Sequence, residues 1–190
     1  MPQTSAAAAA RSLLRREKIA ARMALTPQEH ARASALVCNH LQDWLLPMPG
    51  ALIAFCPPMR GEVDCNELVL RLLAAGWRAA MPAVTQKHKP MQFRLWTPQT
   101  PLAPDHLGLM APTGPAATPD IVLAPLAAAD RAGYRLGYGG GYFDRTLAAL
   151  QPPPLCIGVG FDLCLVDSVF PHQFDVKLDF LVTESGLRRT

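Results

Sequence analysis

The chain has 190 residues, half of them hydrophobic and 17% charged, with a formal net charge of +3. That length and balance describe a single domain over residues 1–190 with a proper core, and exclude an intrinsically disordered chain. A small positive charge without a dense basic patch argues against nucleic acid, and no apolar run approaches the roughly 18 residues of a membrane helix.

The five cysteines show no C-x-x-C spacing and stand in apolar contexts, which predicts buried free thiols and a reducing, cytoplasmic setting. The five histidines never pair at metal-ligand spacing, so no zinc site is assigned. The alanine run at 6–10 precedes its arginines and lacks a strongly apolar segment, a poor match to a signal peptide. A transit peptide fits the composition, but a helix working from about Arg11 leaves little to cleave.

From about Ser5 to Ala24 the residues favour helix. Arg11, Arg15, Lys18 and Arg22 fall on one stripe of it, and such a stripe is usually a solvated face. Thr26-Pro27-Gln28-Glu29 is a capping box with proline at the first helical position. It opens a second helix with Leu36, Val37, His40, Leu41 and Trp44 on one face, ending at Pro47-Met48-Pro49-Gly50; His40 reads as a core or boundary residue.

Ala51 to Cys56 reads as the first buried strand. The loop from Pro57 to Asp64 follows, and Asp64 with Glu67 resembles a cap for a helix ending near Gly76. Ligands gather at the carboxyl ends of strands in open α/β sheets, and this loop sits at one; Glu62 taken alone is an ordinary solvated loop acid. Trp77 to Val84 gives a second strand, Gln86-Lys87-His88-Lys89 a polar turn, and Met91 to Trp96 a half-exposed third strand. Thr97 to Pro119 is proline-rich and polar, a long loop.

Asp120 to Leu126 is a short apolar run that reads as a buried strand. The stretch Gly133-Tyr134-Arg135-Leu136-Gly137-Tyr138-Gly139-Gly140-Gly141-Tyr142-Phe143-Asp144-Arg145 follows, and Phe143, Leu147 and Leu150 then mark one face of a helix. The predicted order of strand, glycine loop and helix turns backbone N–H groups towards one spot, which suits a phosphate. The stretch lacks the Gly-Lys-Ser/Thr of a Walker loop, and Tyr142 stands where a dinucleotide fingerprint has its third glycine. The other reading is a loop whose glycines only supply positive φ for a sharp turn. Arg135 and Arg145 on either side, with Asp144 at the helix start, favour phosphate with a metal, because an acid beside phosphates needs a cation between them.

Arg-Leu-Gly-Tyr-Gly-Gly-Gly-Tyr-Phe-Asp-Arg at 135–145 resembles the signature of the 5-formyltetrahydrofolate cyclo-ligase family, also called methenyltetrahydrofolate synthetases. The resemblance runs from Arg11 to about Thr183. It implies ATP-dependent, Mg2+-dependent cyclisation of 5-formyltetrahydrofolate to 5,10-methenyltetrahydrofolate, with ADP and phosphate released, by a monomer. It places Arg11 and Arg15 on ATP, Arg11 standing where the family has lysine. Arg135, Leu136, Gly137, Tyr138, Gly139, Gly140, Gly141, Tyr142 and Phe143 join them there. Pro57 and Glu62 are placed on the folate together with Tyr138, Gly139, Gly140, Gly141 and Tyr142. Met91, Phe93 and Trp96 suit either a pterin slot or plain packing. The metal is placed on Asp144 and on Asp179, just before the last strand; Asp175 and Asp179 are otherwise plain loop acids. Ala111-Pro112 replaces a Glu-Pro of the family and carries no assigned role. Arg22, further along the stripe, is expected to matter little.

After the helix, Pro152-Pro153-Pro154 breaks the chain, Leu155 to Gly160 reads as a buried strand, and Phe180 to Thr183 as the last. The alternation of strands and helices favours an α/β fold, a three-layer α/β/α domain around a mostly parallel sheet. Two alternatives to the cyclo-ligase reading stay open: a non-catalytic relative that binds nucleotide or folate, and another small-molecule phosphoryl-transfer enzyme.

Overall fold

The computed structural model describes residues 5–190. Helix α1 spans Ser5–Met23 and α2 Pro27–Leu45. Thr26 caps α2 as the sequence predicts: its hydroxyl accepts from the Glu29 N–H, while the Glu29 carboxylate accepts from the Thr26 N–H. Strand β1 (Leu52–Ala54), helix α3 (Asn66–Ala74) and strands β2 (Arg78–Ala83) and β3 (Gln92–Trp96) follow. The N-cap of α3 is Cys65, with no side-chain cap; Asp64, one residue earlier, accepts from the Asn66 N–H through its Oδ1 at 2.9 Å.

The stretch from Thr97 to Pro119 departs from the predicted loop. It holds a hairpin of β4 (Leu102–Pro104) and β5 (Met110–Pro112). The turn is tied by Asp105, whose Oδ1 accepts from the Leu107 and Leu109 N–H groups, and by Gly108 at a φ of 77°. Prolines at both strand ends hid the pattern.

Strand β6 (Ile121–Pro125) then gives way to β7 (Ala128–Asp130) and β8 (Arg135–Leu136) before α4 (Tyr142–Ala149). The glycine loop is therefore fed by a small strand pair and not directly by β6. With β10 (Leu165–Val166), β7 and β8 make a three-stranded sheet of their own. Strand β9 (Leu155–Val159), a 3₁₀ turn at Asp162–Cys164, β11 (Phe180–Thr183) and β12 (Gly186–Arg189) complete the chain.

The main sheet runs β12-β11-β9-β6-β1-β2-β3, with β11, β9, β6, β1 and β2 parallel and the two edge strands antiparallel. The step from β1 to β2 through α3 and the step from β6 to β9 through α4 move in opposite directions along it. Right-handed crossovers therefore put α3 and α4 on opposite faces. Helix α2 packs beside α3 and against β11 and β12, burying Val37, Leu41 and Leu45 completely. The three-layer α/β prediction holds.

Two aspartates at the amino end of this sheet do the same job. The Oδ2 of Asp120, just before β6, accepts from the Leu52 N–H at 2.8 Å; the Oδ2 of Asp179, just before β11, accepts from the Cys156 N–H at 2.8 Å. Each ties the start of a neighbouring parallel strand, satisfying a donor that the ladder leaves over.

Candidate active site

At the carboxyl end of the sheet lies a cleft of about 660 Å³. The carboxyl ends of β1 and β6 contribute Cys56, Pro57 and Pro125, and the glycine loop, α1 and the β4–β5 hairpin close the sides. The cleft has two chemically different ends.

One end is built from charge. The stripe on α1 faces inward, not to solvent. The Arg15 Nε donates to the Gly137 carbonyl at 2.6 Å, and Arg11 grips Asp175 with both nitrogens at 2.6 and 3.1 Å. Lys18 donates to the Leu163 carbonyl at 2.7 Å. Arg135 is 3% exposed and pairs with Asp144 at 2.8 Å. Burial and the neighbouring Arg11 charge hold Arg15 below the usual arginine pKa.

The glycine loop turns through positive φ at Gly139 (95°) and Gly141 (65°), the second capping α4. The Arg15 guanidinium lies against the loop at Gly139, where a Cβ would come within 3.4 Å of it. The Nε atoms of Arg135 and Arg145 are buried with no hydrogen-bond partner among the described residues. Arg11, Arg15 and Arg135 concentrate positive charge on this end, which suits an anion.

The other end is mostly apolar, with the carboxylates of Glu62 and of Asp105 in the hairpin turn. Met81, Leu102, Leu107 and Met110 line the cleft with Cys56 and Pro57, and Met91 lines it next to α4, its N–H donating to the Thr146 hydroxyl at 2.8 Å. Glu62 is 5% exposed. Its Oε1 accepts from the Tyr138 hydroxyl at 2.7 Å, and its Oε2 from the Met59 N–H at 3.0 Å. Burial pushes the Glu62 carboxyl above its ordinary value, opposed by those hydrogen bonds and by Arg22. Burial, with the Glu62 charge, also pushes the Cys56 thiol up, so it packs as a neutral group.

Of the residues assigned from sequence, Arg11, Arg15, Pro57, Glu62, Arg135, Gly137 to Phe143 and Asp144 all line this cleft. Two do not. Leu136 is fully buried in a small cluster with Ala128 and Val169, so its side chain serves packing. Asp179 does not line the cleft; its carboxylate is the strand-start cap described above, at the amino end of the sheet. The acid that does, four residues earlier, is Asp175. Met91 lines the cleft, whereas Phe93 is a buried core residue and Trp96 packs edge-on against Phe55 at 5.2 Å.

Asp144 and Asp175 thus put two carboxylates on one cleft. Magnesium takes one or two carboxylates with phosphate oxygens and water, so this donor set fits it. No cluster of three or more His, Cys, Asp or Glu side chains occurs among the described residues, so the protein forms no closed cage of its own.

Three features escaped sequence reasoning. The hairpin wall was hidden by its prolines. Asp175 was masked by Asp179, since spacing alone cannot choose between two loop acids. Arg22 was misread: it is 2% exposed and reaches Leu126, Arg60 and Met59 carbonyls, Tyr138 and Glu62. Its signal was present, in that it shares the stripe of Arg11 and Arg15.

A family model described as the 5-formyltetrahydrofolate cyclo-ligase family matches residues 7–184. A 5-formyltetrahydrofolate cyclo-ligase of Escherichia coli strain K12 is 28% identical over 172 residues, covering 86% of this chain and 94% of that protein. One from Mycolicibacterium smegmatis is 30% identical over 155 residues, covering 75% and 79%. Among solved structures, the NMR structure of Aquifex aeolicus 5,10-methenyltetrahydrofolate synthetase aligns with a TM-score of 0.80 at 28% identity, over 94% of this chain and 92% of that one.

Proposed function

The chain belongs to the 5-formyltetrahydrofolate cyclo-ligase family, and from that membership we propose that it cyclises 5-formyltetrahydrofolate to 5,10-methenyltetrahydrofolate at the expense of ATP. The observation that carries the reading is the joining of two unlike ends in one cleft by the glycine loop. Its Gly137 backbone meets Arg15, while its Tyr138 hydroxyl meets Glu62.

The chemistry requires both ends. An amide-like formyl oxygen is a poor leaving group, so it first attacks the γ-phosphorus of ATP and ADP departs. Nitrogen-10 of the folate then attacks the activated formyl carbon, losing its proton, and phosphate leaves with the former formyl oxygen. Phosphoryl transfer asks the protein for positioning and charge neutralisation more than for covalent help. Arg15, Arg135 and the backbone N–H groups of Gly137 to Gly141 hold the phosphates. Glu62 accepts from the pterin N–H groups, and the methionine and leucine walls exclude water.

Asp144 and Asp175 would hold a magnesium ion, which when bound neutralises charge developing on the phosphates. In this reading Asp175 replaces Asp179 as the second acid. The Arg11–Asp175 and Arg135–Asp144 pairs hold both carboxylates in place on the cleft. The direct test mixes the purified chain with ATP, magnesium and 5-formyltetrahydrofolate and follows the ultraviolet absorbance of the methenyl product together with ADP release. One ADP per methenyl product is expected. ADP without product, or binding of both ligands without turnover, would overturn the reading.

A further inference from the structure

Arg22 is the most deeply placed cation of the basic stripe, and nothing in the phosphate chemistry above uses it. It sits at the folate end. One terminal nitrogen donates to the Leu126 carbonyl at 2.7 Å and the Nε to the Arg60 carbonyl at 2.8 Å. The other terminal nitrogen donates to the Tyr138 hydroxyl and lies 3.5 Å from the Glu62 Oε1. The Tyr138 hydroxyl in turn donates to that same carboxylate oxygen. The guanidinium therefore ties together the end of β6, the 59–62 loop and the glycine loop, and it is the cation paired with the buried Glu62.

We infer that Arg22 is a positioning residue for the folate end, holding Glu62, directly and through Tyr138, oriented to accept the N–H groups of a pterin. The inference deepens the cyclo-ligase reading and rests on it. Two of the lone-pair directions on Glu62 are taken by Tyr138 and the Met59 N–H, which fixes the plane of the carboxylate and leaves the remainder for ligand. Burial opposes ionisation of this acid, and the Tyr138 and Met59 hydrogen bonds oppose that in turn, with the Arg22 charge and hydrogen bond adding to them. Without that charge the carboxylate takes up a proton more readily. A protonated acid presents an O–H donor where the pterin also presents donors.

The other groups facing Glu62 are few. Cys56 lies near it at the end of β1 and is held as a neutral thiol. The Arg60 guanidinium stacks over the Tyr138 ring at 5.9 Å. His30 of α2 meets the Glu62 carbonyl at 2.7 Å, on the main chain and not the carboxylate. A pH effect carried by His30 survives Glu62→Gln, whereas one carried by the carboxylate does not.

The test measures equilibrium binding of 5-formyltetrahydrofolate and of ATP separately, across pH, in the wild type, Arg22→Gln, Arg22→Lys and Glu62→Gln. In the wild type, folate affinity falls on the acid side as Glu62 protonates. In Arg22→Gln that limb moves to higher pH and folate binding weakens by about one to two decades near neutrality, as loss of a charge-assisted partner implies; ATP binding stays within about threefold. Glu62→Gln removes the limb. Arg22→Lys keeps the charge and loses the fork, so its limb stays near the wild-type position while folate affinity drops by about tenfold.

An unmoved limb in Arg22→Gln overturns the inference, as does a limb that persists in Glu62→Gln. If Arg22→Gln does not fold, Arg22→Lys decides: a loss confined to folate supports the role, and an equal loss for both ligands makes Arg22 a structural tie only. A wild-type chain that binds no folate at all would instead overturn the cyclo-ligase reading.

Discussion

The two ends of the cleft solve recognition in opposite ways. At the glycine-loop end the cations are numerous: Arg11, Arg15 and Arg135 line it, and Arg11 and Arg135 hold acids facing the same space. At the Glu62 end the Glu62 carboxylate is held in place by Tyr138, Met59 and Arg22, and most of the surrounding wall is apolar, with Asp105 of the hairpin turn in it. The first arrangement tolerates small shifts because Coulomb attraction is weakly directional. The second does not, because it depends on hydrogen-bond direction and shape. One end is tuned by ions, the other by protons.

The largest effect expected from breaking this division is at Asp144. Asp144→Asn removes a carboxylate from the phosphate end and leaves Arg135 without its partner. Metal charge stabilisation is worth several kcal/mol, so turnover should fall at least about a hundredfold, measured by steady-state rates across a magnesium titration. Asp175→Asn should be milder, with part of the rate recovered at high magnesium.

Next comes Glu62→Gln. It should lower kcat/KM for 5-formyltetrahydrofolate by about one to two decades while the KM for ATP holds. An unchanged folate constant would return Glu62 to the ordinary loop acids. Arg15→Ala follows, with the KM for ATP raised by about tenfold and the folate constant unmoved, since this side chain meets the Gly137 carbonyl and not the apolar wall.

The smallest effect on activity belongs to Asp179. As a cap on the Cys156 N–H, Asp179→Asn should lower the melting temperature by a few degrees, roughly 1 kcal/mol, and leave the magnesium dependence unchanged. A shifted magnesium optimum would restore it as a metal ligand.

Much of this was legible in the sequence for identifiable reasons. The capping box at Thr26 and the apolar runs at 121–125 and 155–159 carry local signals that the sheet then uses without alteration. The glycine loop was legible because its glycines and flanking arginines lie in one segment. What failed was whatever depends on where a side chain points. Arg22 lies on a helix face that looks solvated until the 59–62 loop and Leu126 close over it. Asp175 and Asp179 differ only in that one precedes β11 directly and is consumed by the ladder of its neighbour. The β4–β5 hairpin fell below recognition because its strands are three residues each and carry proline.

The central claim is that the ends act separately on their own ligands, and the sharpest test crosses them. Both Michaelis constants are measured in Arg15→Ala, in Glu62→Gln and in the double variant, with the fold of each checked by thermal melting. The account predicts that Arg15→Ala moves only the ATP constant and Glu62→Gln only the folate constant. The double variant should show both changes, adding within about 0.5 kcal/mol. Each single substitution moving both constants by equal factors would contradict it.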